Sequence, residues 1–152
     1  MRFFIAVCAG LVFLFYYGCT MSFAQSSSSS FEGLWATRKE DGVFNIFKCK
    51  AFLCGSFVGM QYEGNTAPLN TKGHSQCNLL MLKDFTQQKN KSVWVGKIMD
   101  PRNEKIYNAM IWLHNDHELK LRGYIGISLF GQTQTWYRYH GSISKDCRLN
   151  NK

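Results

Sequence analysis

The chain has 152 residues, of which 45 % are hydrophobic and 18 % charged, with a formal net charge of +8. That is the length of one ordinary domain, with enough apolar mass to bury a core, and it excludes both a disordered tail and a pair of full-sized domains.

The N-terminus reads differently from the rest. Seven of the 23 aromatic residues and a single charge, Arg2, fall within residues 1–24. Met1-Arg2 is a minimal positive segment, Phe3 to Tyr17 is an apolar run, and Ser22-Phe23-Ala24 puts small residues at the −3 and −1 positions before Gln25. This layout predicts a signal peptide over residues 1–24 and an exported protein, periplasmic or secreted. The apolar run is about 15 residues, short of the ~20 that span a bilayer, so an uncleaved anchor is the weaker reading. A lipoprotein reading would use Gly18-Cys19, where Tyr16 and Tyr17 fit poorly. Gln25 and Ser26 to Ser30 are expected to form a flexible Ser-rich linker, residues 25–30.

From Phe31 onward, short aromatic and β-branched runs alternate with Gly, Asn and Asp. Strands are predicted at Gly33–Thr37, Val43–Cys49, Leu53–Gln61, Gln76–Lys83, Ser92–Met99, Lys105–Leu113, Glu118–Tyr124 and Thr133–His140. Turns are signalled by Glu40-Asp41-Gly42, Asp100-Pro101-Arg102-Asn103 and His114-Asn115-Asp116. Ile125 to Phe130, bracketed by Gly123 and Gly131, reads as a short helical or looped insert. About eight strands in roughly 110 residues would leave long exposed edges unless the sheet closes. The fold class is therefore all-β, a closed antiparallel up-and-down barrel over residues 31–142, followed by a C-terminal tail, 143–152. A sandwich would need longer crossovers than most of these gaps provide.

Once Cys8 and Cys19 leave with the leader, Cys49, Cys54, Cys77 and Cys147 remain. An even count in an exported domain reads as disulfides rather than metal ligands, and four cysteines allow three connectivities. Cys49 and Cys54 are close enough to pair across the bend Lys50 to Leu53, which leaves Cys77 for Cys147.

Alternation assigns Phe44, Ile46, Phe57, Leu79, Met81, Tyr107, Ala109, Ile111, Leu119 and Leu121 to the inner phase of their strands. Such a lining suits a small hydrophobic molecule, with Tyr107 as a hydrogen-bonding handle. The alternative is a barrel filled by its own side chains. Trp94, Met110 and Trp112 fall outside that set; an outward patch of all three would be a partner or membrane surface, unless the serine arm or the tail covers it. Gly33 and Trp35 on the first strand, with Trp136 and Arg138 on the last, form a G-x-W and late-Arg pattern that resembles the closed-end signature of lipocalins, a guanidinium lying over an indole.

A wider resemblance rests on four stretches: Gly33-Leu34-Trp35-Ala36-Thr37; Cys49 with Leu53-Cys54-Gly55; Asp100-Pro101 with Lys105-Ile106-Tyr107; and Leu119 to Trp136, the most specific. They resemble a bacterial exported family known as domain of unknown function 2147. Cys77 to Leu82 matches more loosely, with Asn78 where a glycine is usual, and Glu63 to Ser75 departs most. The resemblance implies a lipocalin-like barrel and export, and it supplies no activity.

The sequence carries no catalytic motif, and the weakest of three readings is a hydrolase or metal enzyme around His114 and His117, whose imidazoles could share a metal. His114 and His117 flank Asn115-Asp116 in an expected turn, His74 and His140 have no carboxylate beside them, and there is no G-x-S-x-G elbow. No catalytic residue, metal or cofactor is expected. The basic pairs Arg38-Lys39, Lys48 and Lys50, Lys89 and Lys91, and Lys120 and Arg122 are scattered, unlike a nucleic-acid face. The expected partner is a small hydrophobic molecule, with envelope or membrane-surface contact as an addition, no nucleic acid, and an oligomeric state left open. A solid barrel serving as an envelope or host-facing interaction module is the alternative.

Overall fold

The computed structural model describes residues 27–150; the leader expected over residues 1–24, with Gln25 and Ser26, lies outside them. Eight strands follow one another around a closed antiparallel barrel: β1 Gly33–Thr37, β2 Gly42–Cys49, β3 Phe52–Met60, β4 Leu79–Gln87, β5 Val93–Met99, β6 Ile106–Asn115, β7 Glu118–Tyr124 and β8 Gln132–Arg138. Each strand pairs with the next, and β1 pairs back onto β8 through Trp35↔Arg138, Ala36↔Tyr137 and Thr37↔Trp136. Closure removes both sheet edges, so strands this short need no second sheet to protect them.

Strand direction gives the barrel two unlike ends. The start of β1, the turns 50–51, 88–92 and 116–117, and the end of β8 gather at one; the loops 38–41, 61–78, 100–105 and 125–131 gather at the other. The first end is sealed. Phe31, Trp35, Phe85 and Leu119 are fully buried there, and Phe31 tilts against Trp94 at 5.8 Å. Arg138 lies over the Trp35 ring, 3.8 Å from its centroid. Its guanidinium donates to the carbonyls of Ser30, of Glu32 at 2.6 Å and of Asp116 at 3.1 Å. Burial draws its pKa below the ordinary arginine value, and the charge of Asp116 opposes that shift. The Trp35 indole N–H donates to the Phe31 carbonyl at 2.7 Å. Gly33 has φ +115°, and a Cβ there would meet the Arg138 Nη1 at 3.1 Å, so both backbone and guanidinium require glycine.

Three expectations need correction. Ser28–Ser30 is a single 3₁₀ turn fixed by Arg138, so the end of the serine tract is part of the plug and not a flexible linker. The hydroxyls stay at the surface while the backbone carbonyls are recruited. Trp94 points inward: it pairs with Ile111, which shares its face, and is buried in the core. Its indole N–H has no partner among the described residues. Met110 and Trp112 do lie on the outer face, but half-buried. Their cross-strand neighbours are Val95 and Arg122 for Met110, and Val93 and Lys120 for Trp112; the tail packs elsewhere. The exposed three-residue patch therefore does not exist.

The third correction concerns β4, which begins at Leu79 instead of Gln76 and runs on to Gln87. Asp84 has φ +55°, and the register against β5 shifts between Lys83 and Thr86. This bulge breaks the two-residue alternation and brings both Leu82 and Phe85 into the core.

The two disulfides are Cys49–Cys54, across the β2–β3 hairpin, and Cys77–Cys147. The second holds the tail against β3, where Met60 N–H donates to the Cys147 carbonyl at 2.8 Å and Leu149 N–H to the Met60 carbonyl at 3.1 Å. Leu149 joins Ala36 and Val43 in a small apolar cluster outside the barrel wall.

Candidate ligand cavity

The open end is hollow. A cavity of about 540 Å³ is lined by Phe44, Met81, Ile98, Asp100, Pro101, Arg102, Tyr107, Leu121, Gly123, Tyr124, Ile125, Phe130, Gln132, Gln134 and Trp136. Its floor is an aromatic stack: Phe44 lies parallel on Trp136 at 4.2 Å, and Phe57 backs Phe44 at 4.9 Å. Met81, Ile98 and Leu121 supply apolar walls. Polar groups cluster towards the mouth, with Tyr107, Tyr124, Gln132 and Gln134 on strands and Asp100 and Arg102 on the β5–β6 turn. The Trp136 indole N–H donates to the Gln134 side-chain carbonyl at 3.2 Å, which orients that amide.

The rim is held by charge. Arg102 donates to Asp100 through Nε at 3.0 Å, Nη2 at 2.7 Å and its backbone N–H at 2.9 Å. This pairing holds the Asp100 carboxyl below its ordinary value. Beside it, Glu104 accepts from Lys72 at 2.8 Å, from Asn70 at 2.7 Å and contacts His74 Nδ1 at 2.6 Å. Lys72 first, then His74 and Asn70, lower the Glu104 pKa to about 2. Thr71 N–H donates to the Arg102 carbonyl at 2.9 Å, so the 61–78 loop is fastened to the turn that forms one side of the mouth.

Of the ten residues expected to line the interior, Phe44, Met81, Tyr107 and Leu121 line this cavity. Ile46, Phe57, Ala109, Ile111 and Leu119 are buried in the solid core instead. Leu79 is half-buried at the start of β4 and does not reach the cavity. Gly33, Trp35 and Arg138 seal the closed end, whereas Trp136 is the cavity floor, two residues deeper along β8 than the plug. Ile98, Gln132 and Gln134 were absent from the expected lining. Ile98 pairs with Tyr107, and the two glutamines share the phase of Trp136, so the same alternation could have found them. His114 and His117 are exposed, and among the described residues no three His, Cys, Asp or Glu side chains gather as a metal site.

A closed eight-stranded up-and-down barrel, plugged at one end by an Arg-over-Trp pair and hollow at the other, is a lipocalin-like fold. A solved structure titled "Protein HP1028 from the human pathogen Helicobacter pylori belongs to the lipocalin family" is similar to this one. It has TM-score 0.59 and 18 % sequence identity, covering 72 % of this chain and 82 % of that one, a likeness of fold. The model of a family described as "Uncharacterized protein conserved in bacteria (DUF2147)" matches residues 33–138, and the chain belongs to that family. No curated protein matches the chain. Two disulfides in a protein of a bacterial family are consistent with export.

Proposed function

We propose that the protein holds one small molecule, with an apolar body and a hydrogen-bonding head, non-covalently in the open half of its barrel. The observation that carries this reading is the cavity of about 540 Å³, which has an aromatic floor and polar groups confined to its mouth. Its volume falls within the roughly 300–1,000 Å³ of small-molecule sites. Each ligand methylene buried against Phe44, Met81, Leu121 and Trp136 contributes about 0.8 kcal/mol, and Tyr107 and Gln134 orient the head. A fatty acid or an isoprenoid fragment has this chemistry. The function is storage or carriage without bond-making, in the periplasm or outside the cell after removal of residues 1–24. Nothing in this reading requires a metal, cofactor or nucleic acid.

The test is native mass spectrometry of the protein purified from its own envelope, followed by denaturation and analysis of the released lipid. A stoichiometric hydrophobic compound supports the proposal and names its class. A clean apo mass, with no uptake from a fatty-acid mixture, overturns it. The mass of the chain also reports whether residues 1–24 have been removed.

A further inference from the structure

Among the described residues, six large apolar side chains are more than half exposed, and all six lie at the open end: Leu69, Ile106, Ile125, Ile127, Leu129 and Phe130. Four of them fall within the single loop between β7 and β8, at 75 %, 59 %, 74 % and 78 % exposure for Ile125, Ile127, Leu129 and Phe130. No charged residue occurs from Gly123 to Gln132. We propose that this end of the barrel docks on a lipid bilayer, with the 125–130 loop inserted into the membrane interface, so that ligand passes between membrane and cavity without crossing bulk water. The passage rests on the cavity reading; the docking does not.

Three observations favour a bilayer over a protein partner. The loop is built for an apolar medium: Arg122 donates to the carbonyls of Ser128 at 2.7 Å and Leu129 at 3.0 Å. The Phe130 and Gly131 N–H groups donate to the carbonyls of Ile127 at 3.3 Å and Ser128 at 3.1 Å. The carbonyls of Ile127, Ser128 and Leu129, which would be costly to leave unpaired in hydrocarbon, are thus satisfied within the protein. Second, side chains about three-quarters exposed form a tip and not a groove, and a fluid bilayer receives a tip without needing a complementary shape. Third, the rim matches a zwitterionic headgroup layer. Arg38 and Lys39 stand with Glu40 and Asp41 in one loop, and Arg102 and Lys105 with Asp100 and Glu104 in another. The basic excess of Lys48, Lys50, Lys89 and Lys91 belongs to the opposite end. Ile125 and Phe130 also line the cavity mouth, which makes the inserted surface continuous with the ligand path.

Vesicle flotation tests this, using the protein without residues 1–24, since the barrel, plug and tail lie within residues 27–150. It should float with phosphatidylcholine vesicles, with little dependence on added phosphatidylglycerol or on salt. The variant Ile127→Ser, Leu129→Ser alters two side chains outside the cavity lining, and should lose about tenfold or more in vesicle affinity. Its melting temperature and its uptake of dispersed fatty acid should match wild type. A second variant, Leu129→Trp, should gain blue-shifted emission on the same vesicles. Failure to float with phosphatidylcholine, equal flotation of the double-serine variant, or binding confined to phosphatidylglycerol at low salt overturns the docking. So does a dimer of the wild type, seen by sedimentation, that the double-serine variant abolishes. Flotation without fatty-acid uptake supports docking while refuting the cavity reading, and uptake without flotation does the reverse.

Discussion

Replacing Arg138 with methionine removes the side chain that ties three segments across the closed end. The guanidinium donates to the Ser30, Glu32 and Asp116 carbonyls and covers the Trp35 ring. Hydrogen bonds to a charged group contribute about 1.5–3 kcal/mol each in isolation, and the cation–π contact about 0.5–2. These do not add: Ser30 and Glu32 are half-buried, so water can replace part of what they lose, and the contacts share one side chain. The net cost of Arg138→Met is therefore about 2–4 kcal/mol, or a melting point lower by about 10 °C for a domain of this size. Arg138→Lys keeps the charge but not the fork, and should cost about 1–2 kcal/mol. Urea unfolding followed by tryptophan fluorescence measures both, and hydrogen exchange at the Phe31 N–H reports whether the 3₁₀ turn has come loose. If Arg138→Met unfolds within about 0.5 kcal/mol of wild type, the range of an ordinary surface substitution, the clamp contributes nothing and the reasoning fails.

Other outcomes follow from the same structure. Removing Cys77–Cys147 by serine substitution, with its separation of 70 residues, should cost about 4 kcal/mol, and removing Cys49–Cys54, with a separation of 5, about 2, in the chain-entropy account; paired unfolding curves measure the difference. The Glu104 carboxyl, lowered from 4.5 to about 2, binds fewer protons folded than unfolded between those values. Its contribution is thus fully present above pH 4.5 and lost as pH falls through about 2, so the Lys72 and His74 amide resonances should titrate near 2; a midpoint near 4.5 would mean that Glu104 does not hold the loop. Trp94→Phe removes a buried indole N–H without a partner, and should change stability by no more than about 1 kcal/mol; a loss above 2 would show that the donor is satisfied.

Most strand positions were legible because aromatic and β-branched runs are separated by turn residues such as Glu40-Asp41-Gly42, Asp100-Pro101 and Asn115-Asp116, and closure followed from edge protection alone. What alternation cannot see is a bulge. Asp84 in a left-handed conformation adds a residue to β4, so that Leu82 and Phe85, three positions apart, both enter the core, which no two-residue count allows. The serine tract misled for a different reason: its side chains have no burial pattern, whereas the Ser30 carbonyl serves Arg138, and a backbone acceptor leaves no mark in a sequence. The Glu104 cluster joins residues some 30 positions apart, with no local motif to reveal it.

The question of a filled or a hollow barrel was posed as a choice, and the structure divides it by height. Phase identifies which residues face inward but not how deep they lie; depth follows from strand direction once closure is known. Taken from the mouth towards the plug, the inner residues are Gln132, Gln134 and Trp136 on β8; Gly123, Leu121 and Leu119 on β7; Tyr107, Ala109 and Ile111 on β6; and Ile98, Gly96 and Trp94 on β5. On β8 the inner phase runs from polar to aromatic, and on β7 from no side chain to leucine. On β5 the bulky indole belongs to the plugged end. Up-and-down connectivity reverses every second strand, so a feature consistent in space alternates in sequence and cancels in any composition average. Aligned by barrel height instead, the inner phase separates a large-residue plug from an open half with amides and a tyrosine near its mouth, and that asymmetry is what leaves the cavity at the open end.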